Sequence, residues 1–463
     1  MAAKHHRESL RSKNRGGAPA MHRACWRSTL DVFESTFIMK TIAVIGGGIT
    51  GVTTAYALAK RGFAVTLFER HRYAAMETSF ANGGQLSASN AEVWTHWSTI
   101  LKGLKWMLKS DAPLLVNPAP TWHKLSWFAE FIAAMPHYER NTVETARLAV
   151  AARQHLFAWA QEEGIDFDLK KEGILHIYRD KKGFDHAGKV SVLLAKGGLA
   201  RHAVTPAEMK AIEPTLAGTY YGGYFTESDA TGDIHKFTNG LAAAAARLGV
   251  HTLYGQDVTS VQSNGQRAVI TVAQEQASPD VHTFDSVVVC AGVASRDFAA
   301  QLGDRVNIYP VKGYSITVNL NDEESQMGAP TVSLLDDDTK LVTSRLGLNR
   351  FRVAGTAEFN GVDRDIRADR IRPLVAWVEQ CFPRINTRSV VPWAGLRPMM
   401  PNMMPRVGQG NAANVFYNTG HGHLGWTLSA VTAELVSDTI VKADAAKKSM
   451  YAMNLQAAPT GNF

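Results

Sequence analysis

From Ile42 the chain runs apolar to Ile45, turns through Gly46, Gly47 and Gly48, and passes Gly51 into the alanine-rich TTAYALAKRG. A β-branched run ending at Glu69 follows. This pattern predicts strand, tight turn, helix and strand. A second continuous apolar run, FDSVVVCAGV, ends in the small residues Ala291 and Gly292 and predicts a central parallel strand buried on both faces. Helical periods separate the two. Residues 141–164 predict a long amphipathic helix, HAVTPAEMKAIEP a short one with Thr205 as N-cap and Pro206 at its first position, and TGDIHKFTNGLAAAAARLGV a third with His235 at its start. Ile174, Leu175, Ile177 and Tyr178 predict a strand, and Asn264-Gly265 a hairpin turn. Alternation takes over from Val306 to Pro383, where YPVKGYSITVNL, KLVTSR and RFRVAGTAEF predict an antiparallel sheet followed by a helix around Asp369–Phe382. The chain closes with short strands, a glycine-rich turn and a helix with Leu428, Val431 and Leu435 in line.

Two apolar stretches carry an unusual mixture. LKGLKWMLKSDAPLL, with Ile100, Leu104, Met107 and Leu108 at helical spacing, and WHKLSWFAEFIAAM interleave lysine with tryptophan. Such helices suit core packing, a cover over an apolar pocket, or contact with a bilayer surface.

Charge and cysteine usage narrow the class. The net charge is +7, but residues 1–38 hold seven Lys or Arg against three acids, which leaves +3 for the rest and gives no support to nucleic-acid binding. That leader has no repeating apolar face. We expect it to be disordered or an upstream-start artefact before Met39, with a targeting peptide as the alternative. Cys25, Cys290 and Cys381 show no CxxC spacing, so neither a disulfide framework nor a zinc site is expected and a reducing compartment fits; Cys290 reads as a small core residue. No run reaches the ~18 apolar residues of a membrane span.

The opening motif carries the first chemistry. Gly46 permits the turn, Gly48 lets a pyrophosphate approach the backbone, and Gly51 lets helix and strand pack closely, while the helix start faces the phosphate charge. Glu69, 18 residues after Gly51, is placed to accept hydrogen bonds from a ribose hydroxyl, which favours FAD or NAD over NADP. The following loop offers Ser79, Asn82, Gly83, Gly84 and Gln85, donors for a phosphate or flavin or simply a polar turn.

With GGGITG and its glutamate, SFANGGQ, PVKGYS, AGLRPMMP and NTGHGHLGWT in that order, the chain from Met39 to about Lys442 resembles the FAD-dependent D-amino-acid dehydrogenases of the D-amino-acid oxidase and glycine oxidase superfamily. The resemblance implies a Rossmann-like FAD-binding domain interleaved with an α+β substrate domain built on an antiparallel sheet. FAD-binding segments are expected at 39–93, 228–305 and 389–449, substrate segments at 94–227 and 306–388, and a tail at 450–463. It further implies that Gly46, Gly48, Ile49, Gly51, Glu69 and Arg70 hold the ADP half of FAD, that Ser79, Asn82 and Gln85 run beside the pyrophosphate and ring, and that the Val258 backbone meets adenine. Gly292, Gly420, His421, Gly422 and Gly425 would approach the flavin, glycine being needed where a side chain would block it. Arg397 would clamp the substrate carboxylate through its planar fork, with Lys340 and Tyr314 as further pocket residues. Two departures stand out: LSASNAEVWTHWSTI lacks the proline-rich pattern of the relatives, and Asn402 replaces their usual Asp.

The implied reaction is oxidative deamination of a small amino acid, with hydride passing from the α-carbon to FAD and electrons to a quinone or other acceptor. No metal or dedicated general base is needed. The expected setting is cytoplasmic, with peripheral contact at the inner face of the membrane. Rival readings are a D-proline or hydroxyproline dehydrogenase, a glycine- or sarcosine-type oxidase, and an FAD-binding subunit that serves a partner. The preference for D substrates rests on the resemblance alone.

Overall fold

The computed structural model describes residues 39–97, 113–274 and 278–457. The leader and the helix expected around Ile100–Leu108 lie outside them. Two large sheets organise the described chain. The first has six strands in the order Arg406–Gln409, Val415–Thr419, Ser286–Val289, Thr41–Ile45, Ala64–Glu69 and His251–Tyr254, all parallel except the first. Its two central strands are the two apolar runs, the second of them predicted as buried on both faces, with Val44 beside Val288 on one side and Leu67 on the other.

Helices Ile49–Lys60, Ile234–Arg247 and Gly425–Ala457 cover one face of this sheet, packing Val52, Tyr56, Phe237, Leu241, Trp426 and Val436 into one core. A three-stranded antiparallel sheet, Val258–Ser263, Ala268–Val272 and Asp280–Phe284, closes the other face, and the hairpin expected at Asn264-Gly265 joins its first two strands. Capping follows the sequence: Thr205 and Glu208 form a reciprocal capping box, and Asp233 accepts from the N–H of His235 at 2.9 Å, so His235 is a helix-start residue. In the last helix Leu428 and Val431 are buried but Leu435 is exposed.

The second sheet has nine strands and is mainly antiparallel. Tyr309–Asn319, Arg350–Phe359 and Leu341–Leu346 form it as expected, with helix Ala368–Cys381 packed on its core through Leu374, Trp377 and Val378. One assignment needs correcting. Val390–Met399, expected in the third FAD-binding segment, pairs along its length with Tyr309–Asn319 in this sheet. The pairing runs unbroken from Val390 to Met399, and the chain returns to the parallel sheet only at Arg406. Arg397 therefore projects from the antiparallel sheet.

Candidate active site

A cavity of about 780 Å³ runs from the carboxyl ends of the parallel strands to the face of the antiparallel sheet. At one end Gly46, with φ +106°, makes the turn that leaves strand Thr41–Ile45. Glu69 ends the neighbouring strand, and one of its carboxylate oxygens accepts from the Gly47 N–H at 2.6 Å, the other from the His71 N–H at 2.8 Å. A Cβ on Gly48 would meet only Ser79 Oγ, at 3.6 Å, so the space over the start of helix Ile49–Lys60 is open. Ser79 Oγ accepts from the Ile49 N–H at 3.0 Å. Arg70, Val258 and Gly292 line the same end. Gly51 does not line the cavity: its Cβ would fall 1.8 Å from the Gly46 carbonyl, so its role is the close packing of helix on strand and not contact with a ligand.

Loop residues Asn82 and Gln85 do line the cavity, although their amides are already engaged. Asn82 Oδ1 accepts from the Gly84 N–H at 2.9 Å, and Gln85 Nε2 donates to Ser333 Oγ at 2.8 Å. Gly420 and Gly422 also line it, with φ +77° and +58°. A Cβ there would meet the Met400 and Met399 side chains respectively, so left-handed backbone and packing favour glycine at both positions. Gly425 opens the last helix, with nothing nearer to a Cβ than His421 at 3.7 Å. His421 is buried and bonded through Nε2 to Thr432 Oγ1 at 2.9 Å; burial pushes its pKa down to about 3, so it is neutral. Its Nδ1 and the indole N–H of Trp426 are buried without partners, and both residues line the cavity. An open helix N-terminus, an acid at the end of the second strand and, further along, the unpartnered Trp426 indole donor fit an elongated dinucleotide of the FAD type.

Arg397 stands at the far end. Its Nη1 donates to the Thr356 carbonyl at 2.6 Å and Nη2 to the Gly355 carbonyl at 3.4 Å, and a Cβ on Gly313 would fall 2.4 Å from its Cζ. Among the described residues no carboxylate lies within ion-pair distance of it. Burial lowers its pKa to about 10, which leaves the guanidinium charged at neutral pH and facing a cavity with three of its five N–H groups uncommitted. A buried cation without an anion is costly, a cost that an anion in the cavity would offset.

Lys340 lines the cavity too, with left-handed φ +56° and an ion pair to Asp337 at 2.6 Å. Tyr314 is less available than expected. Its hydroxyl donates to Glu358 at 2.9 Å within a buried network that holds the Lys312 ammonium 3.6 Å from the same carboxylate. It therefore supports the sheet and does not offer a free hydroxyl.

Several lining residues escaped the sequence reading. His423 stacks on Trp94 at 4.8 Å, and burial together with the nearby Arg397 charge lowers its pKa to about 4. Glu92 accepts from Tyr138 at 2.6 Å and contacts His186 at 3.1 Å. Burial opposes its charge, but those two bonds and the Lys340 charge hold it ionised. Only the GHGHLGW motif could have pointed to His423; the loop holding Glu92 and Trp94 departs from the relatives' pattern and gave no signal. No group of three or more His, Cys, Asp or Glu that could hold a metal occurs among the described residues.

Comparison with known proteins agrees with this geometry. The model of the FAD dependent oxidoreductase (DAO) family matches residues 41–439. D-amino acid dehydrogenase 3 of Mesorhizobium japonicum is 61% identical over 406 residues, 88% of this chain and 98% of the relative. D-amino acid dehydrogenase of Paramagnetospirillum magneticum is 40% identical, over 86% of this chain and 94% of the relative. Among solved structures, glycine oxidase from Geobacillus kaustophilus superimposes with a TM-score of 0.69 at 21% identity, covering 87% of this chain and 95% of that one. L-proline dehydrogenase from P. horikoshii gives 0.68 at 18% identity, covering 87% and 94%. At such identities these structures speak for the fold alone.

Proposed function

Because the chain belongs to the FAD dependent oxidoreductase (DAO) family, we propose that it oxidatively deaminates D-amino acids to 2-oxo acids and ammonia and passes the electrons to a quinone or similar acceptor. Bound FAD would take the hydride from the substrate α-carbon. The observation that carries the reading is Arg397, a buried guanidinium without a carboxylate partner, facing the same cavity as the dinucleotide cradle. Its fork would grip the substrate carboxylate in two charge-assisted bonds and so fix the α-carbon in one orientation. His423, held neutral against Trp94, would add an uncharged wall beside the clamp. The D preference is supported by the dehydrogenase relatives and by nothing in the geometry.

Anaerobic addition of paired D- and L-amino acids tests this. The D enantiomers should bleach the flavin and the L enantiomers should not; a flavin that no amino acid bleaches would point to a subunit serving a partner, and one bleached best by proline or glycine to the rival enzymes. One hydrogen peroxide per turnover would make the enzyme an oxidase. Peripheral contact with the inner face of the cytoplasmic membrane is supported by Trp122, 84% exposed, and by the exposed Leu125 and Ile132 on helix Trp122–Ala133, whose Trp127 is core. Among the described residues no helix is long and apolar enough to cross a membrane. Liposome flotation should retain the protein; failure to float would leave that helix as a cover over the protein interior.

A further inference from the structure

We propose that Thr356 is a second anchor of the substrate site: its carbonyl positions Arg397, and its hydroxyl donates to the carboxylate that Arg397 holds. Three observations at this residue converge. Thr356 lies inside strand Arg350–Phe359 with φ +58°, the sole β-branched residue with a left-handed backbone among the described residues. The pairing with strand Tyr309–Asn319 slips here. Lys312 faces Glu358 and Tyr314 faces Gly355, so the single Gly313 opposes both Thr356 and Ala357. This is a β-bulge, a device that re-aims groups beside functional sites. It turns the Thr356 carbonyl out of the ladder towards Arg397 Nη1, 2.6 Å away.

The side chain supplies the third observation. Thr356 is 6% exposed and its Oγ1 is buried without a hydrogen-bond partner, yet the residue lines the cavity together with Arg397, Gly313 and Gly395. A left-handed β-branched backbone and an unpaired buried hydroxyl each cost free energy. Glycine at 356 would relieve the first and remove the second, so stability alone does not account for threonine. A hydroxyl on the residue whose carbonyl holds the guanidinium, three of whose five N–H groups are uncommitted, complements an anion with several acceptor lone pairs, and a carboxylate is the anion proposed for this site. The inference thus rests on the reading of Arg397 as a carboxylate clamp.

Thr356→Gly and Thr356→Ser separate the contributions. The glycine variant relieves strain and lacks the hydroxyl; the serine variant keeps the hydroxyl and loses only the branch at Cβ. Binding of benzoate, read from the flavin absorbance of the holoenzyme, and KM for D-alanine are measured with the thermal midpoint. Thr356→Gly should keep or raise the midpoint while weakening benzoate binding and raising KM at least tenfold, and Thr356→Ser should bind benzoate within threefold of wild type. A purely structural residue would move stability and affinity in the same direction. Wild-type benzoate affinity in Thr356→Gly, or equal loss in both variants, overturns the proposal. Arg397→Met is the control. If it weakens benzoate binding and Thr356→Gly does not, only the role of Thr356 fails; if neither does, the clamp reading fails with it.

Discussion

Replacing Arg397 by methionine removes the charge and fork while retaining an unbranched apolar stem. In the protein two of the five guanidinium N–H groups are committed to the carbonyls of Thr356 and Gly355, which leaves three for a ligand. A hydrogen bond between charged groups contributes about 1.5–3 kcal/mol. Losing two of them should cost ~3–6 kcal/mol of transition-state binding, or roughly a 10²- to 10⁴-fold fall in kcat/KM. Stability should respond differently. No carboxylate within ion-pair distance loses its partner, and a desolvated cation disappears, so the thermal midpoint should hold or rise even though two carbonyls lose a donor. Arg397→Lys keeps charge without the planar fork and should fall between wild type and Arg397→Met. The assay is steady-state reduction of an artificial acceptor with D-alanine, alongside flavin content and the thermal midpoint. A methionine variant with full flavin occupancy and kcat/KM within threefold of wild type would refute the clamp. A collapse of the thermal midpoint would show instead that Arg397 is structural.

Other regions yield predictions of their own. Glu69→Ala frees the Gly47 and His71 N–H groups and removes the acceptor placed for ribose, so FAD affinity should fall at least tenfold, read from flavin release on dilution. Gly51→Ala would put a methyl 1.8 Å from the Gly46 carbonyl; this overpacking should cost ~3 kcal/mol or more and give flavin-poor protein with a lowered thermal midpoint. Glu77 faces Arg364, His71 and Arg70, and although burial opposes its charge these partners lower its pKa to about 2. Its folded value lies below the unfolded value of about 4.3, so its stabilisation is complete above that pH and fades as pH falls towards 2. The thermal midpoints of wild type and Glu77→Gln should therefore differ most above pH ~5 and converge near pH 2.

The dinucleotide half of the site was legible because its constraints are local. Gly46, Gly48, Gly51 and Glu69 sit within one strand-turn-helix-strand unit, where the turn at Gly46 and the close packing at Gly51 demand glycine and the spacing to Gly48 and Glu69 follows the motif. The AGLRP motif singled out Arg397, although the sheet that carries it was not legible, since the residues of VVPWAGLRPM do not say which partner the strand pairs with. The rest depended on long-range proximity. Glu92 and His186 are 94 residues apart, and Tyr314 reaches Glu358 across 44, so no spacing rule joins them. The bulge at Thr356 was hidden for a related reason: a threonine is at home in an ordinary strand, and only the register against Gly313 betrays the extra residue.

The interleaving of the parallel sheet bears on how the chain is born. Thr41–Ile45 emerges from the ribosome early, but its neighbour Ser286–Val289 lies 244 residues later, the separation spanned by the Thr41 to Asp285 hydrogen bond. At roughly 5–20 residues per second that wait lasts on the order of 10–50 s. Strand Val415–Thr419 and the helix starting at Gly425 come later still, so the cradle at Gly48 and the indole N–H of Trp426 cannot coexist until synthesis is nearly complete. Early in that interval the apolar strand has only its adjacent helix and Ala64–Glu69 beside it; helix Ile234–Arg247 and the three-stranded sheet of residues 258–284 join as the wait ends. Capture of the dinucleotide is accordingly a late event, and a chain truncated before residue 415 would lack a strand of the parallel sheet and the last helix over its core.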